Sequence, residues 1–487
     1  MVALKDILYK VSLLEVAGST DLEVRAITMD SRKVQPGVTF VAVSGTQVDG
    51  HDYIEKAVEL GATAVVCENM PEVFADNVTY VVVASSAIAL GVMASNFYGK
   101  PSSKLKLVGV TGTNGKTTTV TLLFSLFRAL GYNTGLLSTV ENKINESVIP
   151  STHTTPDAVE LNALLAEMVD HGCTHCFMEV SSHAVVQQRI AGLEFAGGMF
   201  TNISHDHLDY HKTFDEYIKA KKGFFDALPA SAFALSNGDD KRGTVMLQNS
   251  KADKKYYGLK SLTDFKGKVL ENTLQGLEMT IDQYTAWFKL IGRFNAYNLL
   301  GAYAIGVLLG EDQEEVLTNL SMLDPVSGRF QQIISGSGII GIVDYAHTPD
   351  ALENVLNTIN ELKEGNASVI TVVGCGGNRD KAKRPKMAEI ACKLSDRVIL
   401  TSDNPRNEVP SAIIEDMKKG VSPTYVRKTL VMEDRREAIK MACALAESND
   451  IILLAGKGHE AYQEVNGVKH HFDDREELVG MLKLMEK

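Results

Sequence analysis

Short apolar runs alternate with amphipathic stretches along almost the whole chain. Residues 38–43 (VTFVAV) and 62–68 (ATAVVCE) have the composition of buried strands, and residues 51–61 (HDYIEKAVELG) between them have the spacing of a helix. Strand, helix and strand in this order are typical of parallel strands joined by a crossover helix. The pattern therefore predicts an α/β fold, with helices layered around mainly parallel sheets.

The last third of the chain repeats this alternation and adds glycine-rich strand ends. A helix is predicted to start near Thr348-Pro349. The run from Gly374 to Arg379 resembles the dinucleotide fingerprint, but Arg379 replaces its last glycine, which disfavours NAD binding. The predicted strands and their loops in this part are 338–347 (GIIGIVDYAH), 368–377 (SVITVVGCGG), 397–402 (RVILTS) and 451–460 (IILLAGKGHE).

A polar loop with two prolines follows the predicted strand at 397–402. It reads TSDNPRNEVP over 401–410 and carries a carboxylate, an amide and a guanidinium at Asp403-Asn404-Pro405-Arg406. Loops at strand ends of α/β proteins often bind ligands, so this loop is a candidate for recognising a small molecule. An ordinary Asn-Pro turn is the alternative.

The clearest local motif is a strand, a glycine loop and a helix between residues 105 and 131. The loop is Gly112-Thr113-Asn114-Gly115-Lys116-Thr117, and the next residues keep the 3.6-residue apolar period of a helix. Backbone N–H groups and a helix N-terminus converge on phosphate in this arrangement, with Lys116 reaching the β/γ-phosphates and Thr117 holding Mg²⁺. Val110 replaces the usual first glycine. The motif predicts a nucleoside triphosphate site.

Two stretches combine a helix stop or aspartate with proline, glycine and small polar residues. They are Gly99–Lys104 (GKPSSK) and Asp324–Gly328 (DPVSG). A chain of 487 residues is too long for one core. We therefore predict three domains, at residues 1–101, 102–330 and 331–487.

Composition narrows the class of protein. Hydrophobic residues make up 45% and charged residues 23%, and no apolar run approaches the length of about 18 residues that a membrane span needs. The N-terminus does not resemble a signal peptide, so we expect a cytoplasmic location. A net charge of −12 argues against nucleic acid as a partner. The six cysteines are expected to be reduced, and Cys173 and Cys176 to be packing residues.

Acidic and histidine side chains follow the phosphate loop. Glu179 ends the apolar run 176–180, and TNISHDHLDYH at 201–211 holds three histidines and two aspartates. Taken alone, Glu179 could equally be an acidic residue at the surface, and 201–211 could equally be an ordinary polar loop. Beside a phosphate loop they become candidate metal ligands.

Together these pieces resemble the Mur ligase family of bacterial cell-wall synthesis, and the similarity spans essentially the whole chain. The motifs occur in the order of the family: GTNGKTT at 112–118, EVSSHA at 179–184, DHLDYH at 206–211, YIKAKKGFF at 217–225, GRFNAYN at 292–298 and DYAHTPD at 344–350.

The resemblance implies the fold and the activity. It implies a Rossmann-like N-terminal domain that binds UDP, a central P-loop ATPase domain and a Rossmann-like C-terminal domain that binds the incoming amino acid. Within the family, the chain looks most like the ADP-forming ligases that add the third amino acid. These join meso-diaminopimelate to the D-glutamyl γ-carboxylate of UDP-N-acetylmuramoyl-L-alanyl-D-glutamate through an acyl phosphate, with ATP as co-substrate and Mg²⁺ as cofactor. The resemblance places the reaction in cytoplasmic peptidoglycan precursor synthesis and hence in cell shape and division, and we expect a monomer.

The resemblance also assigns roles at the ATP site. Lys116, His207 and Lys221 match catalytic positions, and Thr117, Glu179, His207 and Lys221 match metal-binding positions. Lys221 falls on the lysine that the family carbamylates to N6-carboxylysine, although composition alone gives Lys221 and Lys222 as a solvated helix face. The ATP-binding matches are Gly112, Thr113, Asn114, Gly115, Lys116, Thr117, Thr118, Asn295, Asn298, Arg329 and Asp344.

Two further sets match substrate contacts. The first set, for the UDP-muramoyl-dipeptide, is Ser31, Thr46, Gln47, Val48, Thr154, Thr155, Ser181, Gln187 and Arg189. The second set, for meso-diaminopimelate, is Arg379, Asp403, Asn404, Pro405, Arg406, Gly456 and Glu460. Diaminopimelate has a distal carboxylate that lysine lacks. A guanidinium such as that of Arg406 can hold this carboxylate bidentately, and the Glu460 carboxylate can receive the neighbouring ammonium.

Three alternatives stay open at this point. An L-lysine-adding ligase of the same family is the nearest, and a folylpolyglutamate-type ligase is disfavoured by the loops that match UDP contacts. From a different class, the chain could be a non-catalytic NTP-binding regulatory protein. The joint presence of Lys116, Glu179, His207 and Lys221 argues against that class, because regulation needs none of them together.

Overall fold

The structure is a computed structural model that describes residues 1–45, 48–151, 153–204, 206 and 208–487. It is an α/β fold built on three sheets. Each sheet is buried on both faces, because alternate residues of its central strands belong to different hydrophobic clusters. Continuous burial explains why the strands read as unbroken apolar runs. No helix among the described residues is both long and apolar enough to cross a membrane.

The first sheet has five strands in the order β2-β7-β6-β5-β4, parallel except for β2 at the edge. The predicted strand, helix and strand are present here, although the helix is shorter and begins with a 3₁₀ turn at Gly50–Tyr53. The strands of this sheet are Leu13–Ala17 (β2), Ala26–Thr28 (β4), Val38–Val41 (β5), Ala64–Cys67 (β6) and Thr79–Val83 (β7), and Val2–Ala3 (β1) and Glu23–Val24 (β3) form a separate antiparallel pair. The helices are Leu4–Ile7 (α1), Ile54–Glu59 (α2) and Ser86–Phe97 (α3).

The second sheet has eleven strands in the order β11-β10-β9-β12-β8-β13-β14-β15-β16-β17-β18, and its seven central strands are parallel. Its strands are Lys106–Thr111 (β8), Thr134–Leu137 (β9), Glu141–Ile144 (β10), Ser147–Pro150 (β11), His175–Glu179 (β12), Gly197–Phe200 (β13), Phe233–Asn237 (β14), Asp253–Gly258 (β15), Phe265–Thr273 (β16), Gly276–Ile281 (β17) and Tyr284–Phe288 (β18). The helices are Lys116–Ala129 (α4), Ala158–Asp170 (α5), Ser182–Val186 (α6), Leu208–His211 (α7), Phe214–Asp226 (α8), Gly243–Met246 (α9), Arg293–Leu308 (α10) and Gln313–Met322 (α11).

The third sheet has six strands in the order β19-β20-β24-β21-β22-β23, of which only β19 is antiparallel. Its strands, with a separate hairpin β25–β26, are Gln331–Ile334 (β19), Ile340–Asp344 (β20), Val369–Cys375 (β21), Arg397–Ser402 (β22), Thr429–Val431 (β23), Ile451–Ala455 (β24), Tyr462–Val465 (β25) and Val468–His471 (β26). The helices are Pro349–Leu362 (α12), Lys383–Leu394 (α13), Pro410–Lys418 (α14), Arg435–Leu445 (α15) and Asp474–Leu484 (α16).

The strand order brings distant loops together. In the eleven-stranded sheet β8 lies between β12 and β13, and in the six-stranded sheet β24 lies between β20 and β21. The carboxyl ends of parallel strands share one edge, so the loops after these strands are neighbours. The three sheets are built from residues 13–83, 106–288 and 331–455. The domain boundaries after residues 101 and 330 stay predictions.

Candidate active site

A cavity of about 1110 Å³ is lined by loops that follow strands of the eleven-stranded and the six-stranded sheets. The two polar loops singled out in the sequence, at 201–211 and 401–410, both contribute described residues to its lining. The predicted site residues that line it are Gly112–Thr118, Thr154, Thr155, Glu179, Ser181, Arg189, Lys221, Asn298, Arg329, Asp344, Arg379, Asp403, Asn404, Arg406, Gly456 and Glu460. One continuous cavity therefore contains residues from all three predicted binding sets.

The phosphate loop connects β8 to the N-terminus of α4. Gly115 caps this helix with a φ of +86°, and a Cβ there would lie 2.5 Å from Asn298 Oδ1. Both the backbone angle and the close approach require glycine. The Lys116 ammonium donates to the carbonyl oxygens of Gly112 and Thr113, each at 2.9 Å. The cation thus lies over its own loop, beside the free N–H groups of a helix start.

Glu179 is buried at the end of β12, next to the phosphate loop. Thr117 Oγ1 donates to Glu179 Oε1 at 2.8 Å, and the backbone N–H of Thr139 donates to the same oxygen at 2.8 Å. Arg329 Nη2 donates to Thr117 Oγ1 at 3.0 Å. A hydroxyl, a carboxylate and a guanidinium are therefore in contact at the first turn of α4.

Lys221 lies on the buried face of α8, with only 1% of its surface exposed. The alternative of a solvated helix face is wrong for this residue, because α8 packs its Lys221 side against the phosphate loop. Its Nζ donates to the Gly112 carbonyl at 2.7 Å and lies 4.6 Å from the centre of the Tyr217 ring. Burial lowers the pKa of Lys221 well below its ordinary value; Lys116 acts in the same direction, and Asp206 opposes it.

The predicted nucleotide contacts on α10 divide into two kinds. Asn298 lines the cavity, whereas Asn295 is buried behind it and accepts a 2.9 Å hydrogen bond from Asn298 Nδ2. Asp344, at the end of β20, accepts a hydrogen bond from the Phe330 N–H at 2.7 Å. Burial raises the pKa of Asp344 to about 6, although Arg329 pulls it down.

A cationic corner lies beside Glu179. Arg189 Nη1 donates to the Thr155 carbonyl at 2.7 Å, and its Nε donates to Gln187 Oε1 at 2.9 Å. Thr155 Oγ1 donates to the Glu179 carbonyl at 2.8 Å, and Ser181 N donates to Thr155 Oγ1 at 3.2 Å. Gln187 supports Arg189 without lining the cavity itself. Thr154 joins the group through a 3.0 Å hydrogen bond from Thr139 Oγ1.

Two more residues predicted to contact the UDP-muramoyl-dipeptide lie in loops beside the strands of the first sheet. Ser31 is buried at the start of a 3₁₀ turn, and Val48 is 54% exposed on another loop. Neither residue lines the cavity, so the structure does not unite them with the other sites. Thr46, Gln47 and His207 lie outside the described residues.

Asn404, which also lines the cavity, is hydrogen-bonded to charged groups. Its Nδ2 donates to Glu460 Oε2 at 2.7 Å, and its Oδ1 accepts a 3.3 Å hydrogen bond from Lys457 Nζ. Burial alone would raise the pKa of Asp403, but Lys457 and Arg435 outweigh it and the pKa lies below its ordinary value. Burial and the neighbouring Asp403 raise the pKa of Glu460.

Arg406 follows this group in the left-handed conformation, with a φ of +53°. Its Nη1 donates to the Gly377 carbonyl at 2.9 Å, and 24% of its side chain is exposed. Arg379 is exposed at the same cavity, and Pro405 fixes the loop without lining it. The loop is thus more than a turn, since Asp403, Asn404 and Arg406 all line the cavity.

Comparison with known families identifies the chain. Three family models match in order: Mur ligase family, catalytic domain (residues 23–98), Mur ligase middle domain (110–306) and Mur ligase, glutamate ligase domain (328–458). The chain belongs to the Mur ligase family. It therefore has the ordered three-part architecture that its resemblance implied.

Individual Mur ligases match over nearly the full length. A relative from Cytophaga hutchinsonii is 65% identical over 97% of both chains, and one from Phocaeicola vulgatus is 58% identical over 98% of both. Both are named UDP-N-acetylmuramoyl-L-alanyl-D-glutamate--2,6-diaminopimelate ligase. A solved structure with the same name matches with a TM-score of 0.71 and 31% identity, covering 100% of this chain and 99% of the other.

The sequence did not single out several charged residues around the site of this Mur ligase. Lys457 is fully buried between the chosen Gly456 and Glu460, so its place in the motif AGKGHE was a usable signal. Asp350 ends the motif DYAHTPD and accepts a 2.7 Å hydrogen bond from Asn114 Nδ2 of the phosphate loop. Arg435 pairs with Asp474 at 2.6 Å with both side chains fully buried, and no local pattern indicates that pair.

The donor atoms at the phosphate loop fit a magnesium ion. Among the described residues, no group of three or more His, Cys, Asp or Glu side chains forms a metal cluster. Thr117 and Glu179 nevertheless bring a hydroxyl and a carboxylate together, and Mg²⁺ prefers such hard oxygen donors. Mg²⁺ also keeps waters and phosphate oxygens as ligands, so two protein groups beside a phosphate loop form a sufficient set.

Proposed function

We propose that this Mur ligase joins meso-diaminopimelate to the D-glutamyl γ-carboxylate of UDP-N-acetylmuramoyl-L-alanyl-D-glutamate, at the expense of ATP. The observation that carries the proposal is the shared cavity, which is lined both by the glycine loop Gly112–Thr117 and by Asp403, Asn404 and Arg406. The names of the full-length relatives support the same reaction. Because ATP and a nucleotide-linked sugar are cytoplasmic metabolites, we place the reaction in the cytoplasm, in peptidoglycan precursor synthesis.

The chemistry follows from the electrophile that the reaction needs. A carboxylate resists attack by an amine, so it first attacks the γ-phosphorus of ATP, the bond to ADP breaks, and an acyl phosphate forms. The amine of the incoming amino acid then attacks the acyl carbon with loss of one proton, and the tetrahedral intermediate expels phosphate. Lys116 and the N-terminus of α4 stabilise the phosphate charge, and holding the reactants together supplies much of the rate.

Magnesium binding would involve Thr117 and Glu179, with His207 and carbamylated Lys221 as further ligands. Bound there, Mg²⁺ would neutralise charge on the phosphate oxygens. The 3.0 Å contact from Arg329 to Thr117 adds a protein cation at the same place. Asn298 and Asp344 remain candidates for the nucleoside end of ATP, with Asn295 holding Asn298 in place.

Carbamylation of Lys221 has a physical basis in its surroundings. The reaction adds a neutral amine to CO₂ and releases one proton, so it needs the lowered pKa that burial gives Lys221. Lys116 and Lys221 both donate to the Gly112 carbonyl, so a positive charge on Lys116 repels a second ammonium at Lys221. A carbamate turns that repulsion into attraction and supplies oxygen atoms for a metal ion.

The amino-acid end supports diaminopimelate over lysine. Arg406 lines the cavity and can hold a carboxylate bidentately. Glu460 lines the same cavity, is hydrogen-bonded to Asn404 and can accept hydrogen bonds from an ammonium. Diaminopimelate carries both groups at its distal end, and lysine carries only the ammonium. Arg379 is a second cation for the same substrate. Two alternatives remain to be tested: a lysine-adding ligase and a non-catalytic NTP-binding protein.

A competition assay decides among these alternatives. Purified protein is incubated with ATP, Mg²⁺, the UDP-muramoyl-dipeptide and equal concentrations of meso-diaminopimelate and L-lysine, and the product mass is measured. We expect the diaminopimelate tripeptide. The lysine product would support the alternative ligase, and phosphate release that ignores both substrates would exclude a ligase altogether.

Replacement of Arg406 tests the choice of amino acid directly. Arg406→Ala removes the partner of the distal carboxylate, so the preference for meso-diaminopimelate over lysine should fall by about 30-fold or more, from the energy of a charge-assisted pair. The ratio of kcat/KM values for the two amino acids measures the preference. An unchanged ratio would remove Arg406 from the recognition of diaminopimelate.

A further inference from the structure

We propose that Glu464 sets the strength with which Arg406 holds the incoming amino acid, by partly neutralising its guanidinium from outside the cavity. The inference rests on the proposed function, because it concerns the same substrate carboxylate. It makes Glu464 a specificity-determining residue that never touches the substrate. No sequence motif points to Glu464, which lies in β25, four residues after the end of the motif AGKGHE at 455–460.

The geometry places the carboxylate on one edge of the guanidinium. Glu464 Oε2 lies 3.6 Å from Arg406 Nε, while Arg406 Nη1 donates to the Gly377 carbonyl. Both residues are described by the structure, but only Arg406 lines the cavity and Glu464 does not. The pair is also partly shielded from water, with 24% and 25% of the two side chains exposed. Solvent therefore screens the pair only in part.

Backbone hydrogen bonds fix the position of Glu464 relative to the loop Asp403–Arg406. Arg406 N donates to the Glu464 carbonyl at 3.0 Å, and Asn466 N donates to the Arg406 carbonyl at 2.7 Å. Glu464 N donates to Asn404 Oδ1 at 2.9 Å, and Gln463 Nε2 donates to the Asp403 carbonyl. Strand β25 thus runs alongside the loop and holds Arg406 in its left-handed conformation. The counter-charge is built into the fold and does not depend on a mobile side chain alone.

Two consequences follow from a guanidinium that already has a carboxylate partner. A second carboxylate, from diaminopimelate, gains less from Arg406 because the two anions repel each other across the cation. The binding of lysine is weakened less by the missing carboxylate, because Arg406 keeps Glu464 as its partner when no substrate carboxylate is present. Glu464 therefore lowers the affinity for diaminopimelate and weakens the discrimination against lysine.

The test variant is Glu464→Gln, whose amide oxygen can still accept a hydrogen bond from Arg406 but carries no charge. We expect the KM for meso-diaminopimelate to fall about three- to fivefold, the range of a partly exposed ion pair, with kcat unchanged within about twofold. The KM for lysine should rise, so the kcat/KM preference for diaminopimelate should increase. Glu464→Asp keeps the charge and should remain close to the native protein.

A matched control comes from helix α16, next to the end of the hairpin that lies away from Glu464. Glu476 accepts a contact from His471 of β26 at 2.8 Å and is exposed, so Glu476→Gln removes one negative charge away from Arg406. This variant should leave both KM values unchanged. In an Arg406→Gln background, Glu464→Gln should have no further effect on the preference, because its effect acts through the guanidinium.

The outcomes separate the two proposals. If the native protein ligates meso-diaminopimelate but Glu464→Gln leaves its KM and the preference unchanged, or raises that KM, Glu464 does not act as proposed and the function stands. An effect that persists in the Arg406→Gln background also overturns the inference, since it would show a structural role. If the native protein does not ligate meso-diaminopimelate, the proposed function falls and the inference falls with it.

Discussion

At the scale of single residues, Lys221 and Lys222 are adjacent but have different surroundings. Lys221 lies against the phosphate loop, whereas Lys222 donates to Asp226 one turn further along α8. Lys221→Ala should abolish turnover, because it removes the amine that we propose is carbamylated. Short-chain carboxylic acids should restore part of the activity by supplying a carboxylate to the space left. Phosphate release coupled to product formation measures both effects.

The neighbouring lysine provides the control for this substitution. Lys222→Ala removes the same side chain from the same helix and should keep at least about half of the activity, since an i,i+4 surface pair contributes only about 0.3–0.5 kcal/mol. Full activity of Lys221→Ala in rigorously bicarbonate-free buffer would remove the carbamate from the mechanism.

Asp344 has a measurable effect on stability at the same scale. Its ordinary pKa is 3.8, and burial raises the pKa to about 6 in the folded protein. Folding therefore binds a proton between these values, and the ionised carboxylate destabilises the folded state above about pH 6. Asp344→Asn should thus raise the free energy of unfolding by about 2–3 kcal/mol at pH 7.5.

The pH dependence distinguishes this effect from a change in packing. The gain from Asp344→Asn should shrink as the pH falls from 6 and vanish near pH 4, where the aspartate is protonated in both states. Urea unfolding at several pH values measures it. A gain that is constant from pH 4 to pH 8 would mean that the charge of Asp344 is not its cause.

At the scale of elements, helices α15 and α16 are joined by a buried ion pair and an exposed one. Arg435 donates to both carboxylate oxygens of Asp474 in the core, and Arg436 pairs with Glu477 at the surface. The Arg435 pair also lies close to the site, because its Nη2 donates to the Ala455 carbonyl at the end of β24. The docking of α16 therefore bears on the position of the Gly456 loop.

The two pairs should respond very differently to loss of their acid. Asp474→Ala leaves a fully buried guanidinium unpaired, so the free energy of unfolding should fall by about 3–5 kcal/mol. Glu477→Ala, on the same helix, should cost less than about 1 kcal/mol because its partner is exposed. Urea unfolding of the two variants measures the difference, and equal losses would contradict the assignment of the buried pair.

At the scale of the whole molecule, the eleven-stranded and the six-stranded sheets meet at the phosphate loop. Asp350, in the first turn of α12, accepts hydrogen bonds from Asn114 Nδ2 at 2.7 Å and Ser204 Oγ at 3.1 Å. A carboxylate from one sheet region thus holds two loops of the other. This contact ties the position of the region around the six-stranded sheet to the loop that is expected to bind ATP.

Loss of that contact should loosen the arrangement of the two regions. Asp350→Ala should increase the radius of gyration measured by X-ray scattering and raise the KM for ATP about threefold or more, from the loss of hydrogen bonds to a charged group. Glu353→Ala, an exposed acid on the same helix, is the control and should change neither quantity. An unchanged radius and KM in Asp350→Ala would show that other contacts hold the regions together.

The sequence determined what depends on local order. Apolar runs predicted the α/β class, because buried strands and helices have different periods, and the start of α12 was placed correctly at Pro349. The glycine loop before α4 predicted a phosphate site, because the motif itself contains the backbone freedom and the helix start that such a site needs. The loop at Asp403–Arg406 was chosen from residue types alone, and it does line the cavity.

Tertiary structure decided the surroundings of each charge. Burial of Lys221 and the ion pair of Arg435 with Asp474 depend on side chains that are far apart in the chain, so no local pattern contains them. The same holds for Glu464, whose contact with Arg406 exists only because β25 lies along the loop Asp403–Arg406. The order of the strands brings such groups together. Their charge and solvation depend on the neighbouring side chains, and those neighbours are known only once the chain is folded.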